Sequence, residues 1–575
     1  MKTLLTGNEA VALGAYKAGV FAATGYPGTP ATEIIESIAC YSEVYTEWSV
    51  NEKTALEFAS GISLSGRRAL VAMKHVGLNV ASDPLMSLAY TGVNGGLVIA
   101  VSDDPGMRSS QNEQDSRLFG RMANIPVLEP SDSEEAYIFT KRAFEISENF
   151  DLPVILRLTR SISHTSTIVN IEGNRKDCCR EYRIDVEKNV LLPPFTSRQR
   201  LSLQKRIERF REFTPLSGLN TVEILSNSIG IITSGIAYQY VKDAVPEASV
   251  LKLGIVYPLN AQEIKAFSVQ VKKLFIIEES EPFVENAVRS MGIKAKGKAD
   301  RLFPVSGELN TSILREAFRG NYSISGELCR DNHSALCPGC PYLGVFYLLS
   351  SRKLFTGGDI GCYTLSVHTF PHVLDTTLCM GSGISQATGY SVSTGEKVAA
   401  VIGDSTFFHS GIPGILNAIY HNANLLVIVL DNHATSMTGG QPHIGTGKGI
   451  RGKKKKVMIE DVLSGCGIKY IRRTGAYDLK EIDKAINEGL SAKGISVIII
   501  DGECILKKKK KKIGLFSIDK KKCLLCGACL ALGCEAIVKN GDSYLIKNSC
   551  NGCGLCIQVC ENNAIKKAYI NTIRR

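Results

Sequence analysis

The chain has 575 residues, 44% of them apolar and 7% aromatic, material for roughly four average domains with buried cores, so a globular, multi-domain protein is expected. Its long apolar stretches, residues 425–430 and 497–500, fall far short of the roughly 20 residues that cross a bilayer. The first residues reach Gly7 and an acidic residue before a signal-peptide core could form, so a cytoplasmic protein without a membrane span is expected.

The formal charge of +11 is no case for a nucleic-acid partner, because much of it sits in lysine runs at 453–456, 507–512 and 520–522 without interleaved aromatics. Solvated loop or linker charge accounts for such runs, and docking of an acidic electron carrier is the other reading. Eighteen cysteines in a cytosolic chain argue for metal ligation rather than disulfides.

From residue 1 to about 165, short β-rich runs (69–73, 96–101, 153–157) alternate with stretches of helical period (52–63, 134–146), the rhythm of a parallel-sheet α/β domain. Residues 166–220 are polar, basic and weakly periodic and read as a connecting arm. A second α/β block covers 221–320 with strand-like 229–233 and 274–277, and shows no catalytic cluster. A third, 321–505, carries strand-like 397–402, 425–430 and 496–500. The lysines that follow mark a boundary, and residues 513–575 form a cysteine-dense piece too small for a large core, which needs a metal staple.

That last piece holds Cys523-x-x-Cys526-x-x-Cys529-x4-Cys534 and Cys550-x-x-Cys553-x-x-Cys556-x3-Cys560. Both runs approximate the bacterial two-cluster ferredoxin pattern, in which three thiolates hold one cubane and the fourth reaches the other. One [4Fe-4S] cluster would take Cys523, Cys526, Cys529 and Cys560, and the other Cys534, Cys550, Cys553 and Cys556. The x4 spacing before Cys534, and Glu535 and Glu561 in place of the usual proline, depart from the pattern. A pair of four-cysteine zinc sites is the competing reading, although zinc motifs separate two CxxC pairs by a longer loop.

After the apolar run 398–402 come Gly403 and Asp404, and 28 residues beyond Asp404 lies Asn432, at the end of the apolar run 425–430. This is the spacing of the thiamine-diphosphate signature: an Asp after one strand and an Asn after its neighbour give a Mg2+ ion two oxygen ligands, with the Ala434 carbonyl a third. Ser405 replaces the usual second glycine. The continuation Thr438-Gly439-Gly440-Gln441 is similar to the diphosphate loop of pyruvate:ferredoxin oxidoreductases.

Five further segments lie in order along the chain: Gly25-Tyr26-Pro27-Gly28-Thr29-Pro30-Ala31-Thr32-Glu33, Met73-Lys74-His75-Val76-Gly77-Leu78-Asn79, Ser102-Asp103-Asp104-Pro105-Gly106, Cys337-Pro338-Gly339-Cys340-Pro341 and Gly358-Asp359-Ile360-Gly361-Cys362-Tyr363. With them the sequence resembles the large-subunit family of indolepyruvate ferredoxin oxidoreductases over nearly its whole length. The resemblance implies a multi-domain thiamine-diphosphate-binding α/β fold: a pyrimidine-binding domain, a transketolase C-terminal-like domain, a diphosphate-binding domain, then a two-cluster ferredoxin-like α+β domain. It implies that Glu52 faces the cofactor's aminopyrimidine, that Thr29 sits near the substrate carbonyl or carboxylate, and that Gly403, Asp404, Ser405, Asn432, Ala434, Thr438, Gly439 and Gly440 hold the diphosphate and its magnesium. Arg108 is a further candidate for the substrate's negative charge. His75 either lines the cofactor pocket or is a satisfied core histidine.

The implied reaction is oxidative decarboxylation of an arylpyruvate such as indolepyruvate, with coenzyme A as acyl acceptor, ferredoxin as electron acceptor and a smaller beta subunit as partner. Cys337, Cys340, Cys362 and Cys504 resemble the ligand set of a third cluster nearest the thiamine; buried, unmetallated cysteines are the other reading. A relative acting on another 2-oxoacid, or an electron-transfer protein with a vestigial thiamine fold, are the alternatives for the whole chain.

Overall fold

The computed structural model describes residues 1–181, 185–320, 335–370, 372–507 and 516–567. The chain forms two compact units, residues 1–330 and 331–575.

The first unit is organised by a seven-stranded sheet in the order Ile255–Tyr257, Val127–Leu128, Val154–Thr159, Leu97–Asp103, Ala69–Lys74, Ala22–Gly25, Tyr45–Trp48. Every pairing is parallel except that of Ile255–Tyr257 with Val127–Leu128. Leu97–Asp103 is buried along its whole length, which is why it reads as a continuous apolar run and not as an alternating one. Because the strands run in one direction, the segments after Gly25, Trp48, Lys74 and Asp103 leave the sheet along one edge. One of them opens the helix Glu52–Leu64, whose N-cap Asn51 accepts a hydrogen bond from the Thr54 amide at 2.9 Å.

The segment 166–220 differs from the connecting arm its composition suggests. Ser166–Asn170 pairs antiparallel with Lys2–Thr6, and Phe195–Phe213 is a 19-residue helix. Its polarity belongs to the outward face, while Leu203, Ile207 and Phe210 make a narrow buried stripe at helical spacing. Phe210 packs edge-on against Phe150 with ring centroids 5.0 Å apart.

A four-stranded sheet follows in the order Lys273–Ile277, Ile229–Ser234, Ser249–Leu253, Thr221–Glu223. It is tied to the larger sheet by ionic groups that no local pattern announces. Arg117 and Arg157 are both 0% exposed. Arg157 meets Asp103 at 2.7 Å and also Glu129, while Arg117 meets Asp115 at 2.5 Å and Glu278 at 2.6 Å. Two buried guanidinium groups are tolerable only because several carboxylates surround them.

The second unit contains a five-stranded, wholly parallel sheet in the order Thr356–Gly357, Val398–Gly403, Leu425–Asp431, Ile495–Asp501, Tyr470–Gly475. The cysteine-dense segment adds two small antiparallel pairs, Phe516–Ile518 with Ile565–Lys567 and Ile537–Asn540 with Ser543–Ile546. Its Leu532 and Leu555 share one hydrophobic core with Leu343 and Phe346 of the helix Leu343–Ser350, so this small piece borrows apolar surface from its neighbour. Lysines 508–512 lie outside the described residues, whereas 453–456 and 520–522 are largely exposed.

Candidate functional site

In the second unit, Gly403 stands beside Leu430 in the parallel register, so Asp404 and Asn432 leave adjacent strands at the same edge. Both are buried. One Asp404 oxygen accepts from the Ser405 amide at 2.8 Å and the other faces His443 Nε2 at 3.0 Å. Burial pushes the Asp404 carboxyl above the usual range, and His443 pulls it back. Asn432 Oδ1 accepts from the Ala434 amide at 3.1 Å, and its Nδ2 donates to Ser436 Oγ at 2.9 Å.

The following loop closes on itself. The Thr435 amide donates to the Gln441 carbonyl, the Gly440 amide donates to the Thr435 carbonyl, both at 2.9 Å, and Thr438 Oγ1 donates to Gln441 Oε1 at 2.7 Å. Gly439 and Gly440 adopt φ of 122° and 84°, backbone that a side chain would strain. Ser405, where a glycine is usual, bonds its hydroxyl to that of Thr435 at 2.8 Å. The donor set of Asp404, Asn432 and the Ala434 carbonyl is all oxygen, which suits a hard cation such as Mg2+.

His433 braces Asn432 from behind with φ +60°. Its ring nitrogens face Asp431 at 3.0 Å and Asp501 at 2.8 Å, and the bond to Asp431 raises its pKa to about 9. Arg473 binds both of these carboxylates and Glu460. The contacts of His433 with Asp501, His443 with Asp404 and Arg473 with Asp501 join segments 28 to 68 positions apart, which no local pattern announces. The nearness of His443 to the Thr-Gly-Gly-Gln loop was the one available hint.

The eight C-terminal cysteines sort into two cavities. Cys534, Cys550, Cys553 and Cys556 line one, and Cys523, Cys526, Cys529 and Cys560 line the other. Among the described residues no charged side chain lines either. Backbone amides point at sulfur: Gly552 to Cys550 Sγ at 3.4 Å and Ala564 to Cys560 Sγ at 3.3 Å. Burial raises the thiol pKa values of Cys529, Cys534, Cys553 and Cys556, the last to about 12, so loading iron there must displace protons. Four thiols ringing an apolar cavity fit a cubane.

Cys337, Cys340, Cys362 and Cys504 also come together. Burial raises the first three thiols, Cys362 to about 11, and the charges of the other members of the set raise them further. This group joins the other two sites. The Cys504 amide donates to the Asn432 carbonyl at 3.1 Å. On its other side, the Gly339 carbonyl accepts from Asn551 Nδ2 at 3.3 Å, and the Gly339 amide hydrogen-bonds the Cys534 thiol.

In the first unit, Glu52 is 4% exposed at a helix N-terminus, where the dipole favours a carboxylate. It is packed flush against Gly77: a Cβ there would lie 2.6 Å from Glu52 Oε1. Thr29 follows Gly28, against which the Lys74 stem lies. His75 is 1% exposed; its Nε2 bonds the Asn112 carbonyl at 3.1 Å, its Nδ1 has no partner, and burial lowers its pKa. It is therefore a buried but only half-satisfied histidine. Arg108 is ion-paired with Glu308 at 3.3 Å.

Among known proteins, the chain is 37% identical to the indolepyruvate oxidoreductase subunit IorA of Archaeoglobus fulgidus, over 99% of this chain and 98% of that one. The chain belongs to the IorA family. The family's subunit from Pyrococcus abyssi is likewise 37% identical over 98% of this chain and 97% of its own length. Within this family member, residues 13–212 match the thiamine-diphosphate-binding model of pyruvate flavodoxin/ferredoxin oxidoreductases, and residues 359–500 match the C-terminal TPP-binding domain of thiamine pyrophosphate enzymes. Residues 544–566 match the 4Fe-4S binding domain. The chain is an oxidoreductase subunit that binds thiamine diphosphate and iron–sulfur. Among the described residues no helix is long and apolar enough to cross a membrane.

Proposed function

We propose that this chain is the catalytic large subunit of an indolepyruvate:ferredoxin oxidoreductase. With a smaller beta subunit, it converts indolepyruvate, coenzyme A and oxidised ferredoxin into indoleacetyl-CoA, CO2 and reduced ferredoxin in the cytoplasm. The observation that carries this reading is the series Asn432, Cys504, Cys337–Cys340, Asn551 and Cys534, joined by hydrogen bonds at either end and by the electrostatic influence of Cys504 on the Cys337 and Cys340 thiols between them, which runs from the Asp404–Asn432 edge to the cysteine cavities. A decarboxylase that passed no electrons would have no use for it.

Asp404, Asn432 and the Ala434 carbonyl hold Mg2+, and Gly403, Ser405, Thr438, Gly439 and Gly440 shape the diphosphate seat. Thiamine diphosphate, when bound, supplies the nucleophilic carbon and the electron sink for decarboxylation. Glu52 holds a proton at the aminopyrimidine ring nitrogen, a task suited to a buried carboxyl. Thr29 is placed at the substrate's carbonyl end. The eight C-terminal cysteines hold two [4Fe-4S] clusters, and Cys337, Cys340, Cys362 and Cys504 hold a third, giving about 12 iron atoms per chain.

The test is anaerobic co-purification with the partner subunit, iron and sulfide analysis, and viologen reduction with indolepyruvate, phenylpyruvate and 2-oxoisovalerate. Aryl substrates are expected to give the higher kcat/KM; preference for 2-oxoisovalerate refutes the aryl assignment. An Asp404→Ala enzyme that keeps full substrate-dependent reduction refutes the thiamine site.

A further inference from the structure

At the edge of the seven-stranded sheet stands a cation, Lys74, that is in no ion pair among the described residues. Lys74 is the last residue of the strand Ala69–Lys74, which lies between the parallel strands Ala22–Gly25 and Leu97–Asp103. In such sheets ligands bind beyond the carboxyl ends of the strands. The lysine is held there in one position. Its Cγ and Cδ lie where a Cβ at Gly28 would come within 3.0 Å, and its Nζ donates to the Ser109 carbonyl at 3.0 Å. An ammonium has three N–H donors, so two are left for a ligand.

The neighbouring charges are otherwise committed. Arg108 and Arg160 share Glu308. Arg117 and Arg157 are sealed in the ionic core. Lys53 pairs with Glu57. Of the two carboxylates that attract Lys74, Asp104 and Glu52, Asp104 spends one oxygen on the Ser109 amide and the Ser109 and Ser110 hydroxyls, and its other oxygen is buried without a partner. Burial also lowers the Lys74 pKa, the expected state of an amine removed from water before its counter-ion arrives.

We propose that Lys74 is the cation that receives the carboxylate of the 2-oxoacid substrate, at the sheet edge it shares with Glu52. The inference rests on the assignment of Glu52 to the cofactor pocket. It also fixes a kinetic signature. Decarboxylation disperses the charge that Lys74 neutralises, so the contact is stronger in the ground state than in the transition state. Removing it should raise KM without lowering kcat.

The test uses the complete two-subunit enzyme with Lys74→Met and Lys74→Gln, the second keeping a donor for the Ser109 carbonyl should the first not assemble. Inhibition by 3-phenylpropionate is compared with that by its neutral amide. Loss of a charge-assisted contact is expected to raise KM and the carboxylate's inhibition constant by roughly 10- to 100-fold, with kcat unchanged or raised and amide inhibition unchanged. Equal weakening of acid and amide, or no change in either, overturns the assignment. Glu52→Gln separates this failure from failure of the underlying reading. An inactive Glu52→Gln enzyme beside a Lys74 variant with normal KM removes Lys74 alone, whereas a fully active Glu52→Gln enzyme removes the pocket and the proposal with it.

Discussion

The contact between Glu52 and Gly77 can be tested by a single methyl group whose effect has opposite signs under two accounts. Gly77 lies in the helix His75–Val80 and its φ is not positive, so alanine should by propensity alone stabilise the protein by about 0.5–1 kcal/mol. Its Cβ, however, would lie 2.6 Å from Glu52 Oε1, 2.7 Å from Cγ and 2.9 Å from Cδ. Since Glu52 is buried, the carboxylate can move only by disturbing its surroundings, at a cost of about 1–3 kcal/mol. Gly77→Ala should therefore be less stable than the native protein by about 1–2 kcal/mol in urea titrations. If Glu52 serves the cofactor as proposed, a displacement of about 1 Å there should lower kcat/KM by about 100-fold, with iron content unchanged. Adding Glu52→Asp, one methylene shorter, should recover stability but not activity, so the two substitutions couple in a double-mutant cycle. A Gly77→Ala protein that is both fully active and more stable, or an additive pair, would refute the steric reasoning.

Three other outcomes follow from the buried charges and thiols. Arg157→Met leaves Asp103 without its cation and Glu129 with Arg117 alone at 4.0 Å, and should destabilise the first unit by about 3–5 kcal/mol, read as a lowered denaturation midpoint. Burial holds the Glu279 pKa up at about 7 against an ordinary 4.5, partly offset by the Leu309 amide and Arg157. The native state thus binds the extra proton, and this stability is complete below about pH 4.5 and lost as pH rises through about 7, on the order of 3 kcal/mol. Glu279→Gln should flatten the decline between about pH 5 and 7, where Lys298, lowered by burial to about 8, is still largely protonated; parallel declines in the two proteins would contradict it. Cys504→Ser should lower the iron count by about four atoms per chain while leaving the spectroscopic signals of the C-terminal clusters, and an unchanged count would show that Cys504 holds no iron.

What could be read without coordinates was whatever is local along the chain. The Gly403-Asp404 step and Asn432 each end an apolar run, so their emergence at one sheet edge follows once the sheet is parallel. The cysteine spacings likewise fix which thiols can wrap a common centre, because two intervening residues leave the backbone few ways to turn. The helix Phe195–Phe213 is not legible in the sequence because its buried stripe is a handful of residues in a strongly polar segment. Hydrophobic content cannot distinguish such a helix from a linker.

The sequence by itself determined the fold class, the diphosphate edge and the sorting of the eight C-terminal cysteines, since these depend on period, spacing and residue chemistry. Tertiary structure alone decided that Arg117 reaches Glu278 across 161 positions, that Glu52 rests on Gly77, that Cys504 touches Asn432, and that Lys74 has no ion pair among the described residues. These are contacts between segments remote in the chain. Which charge meets which is set by the packing of sheets and loops, where burial makes each unpaired group costly, and a linear string carries no record of that desolvation.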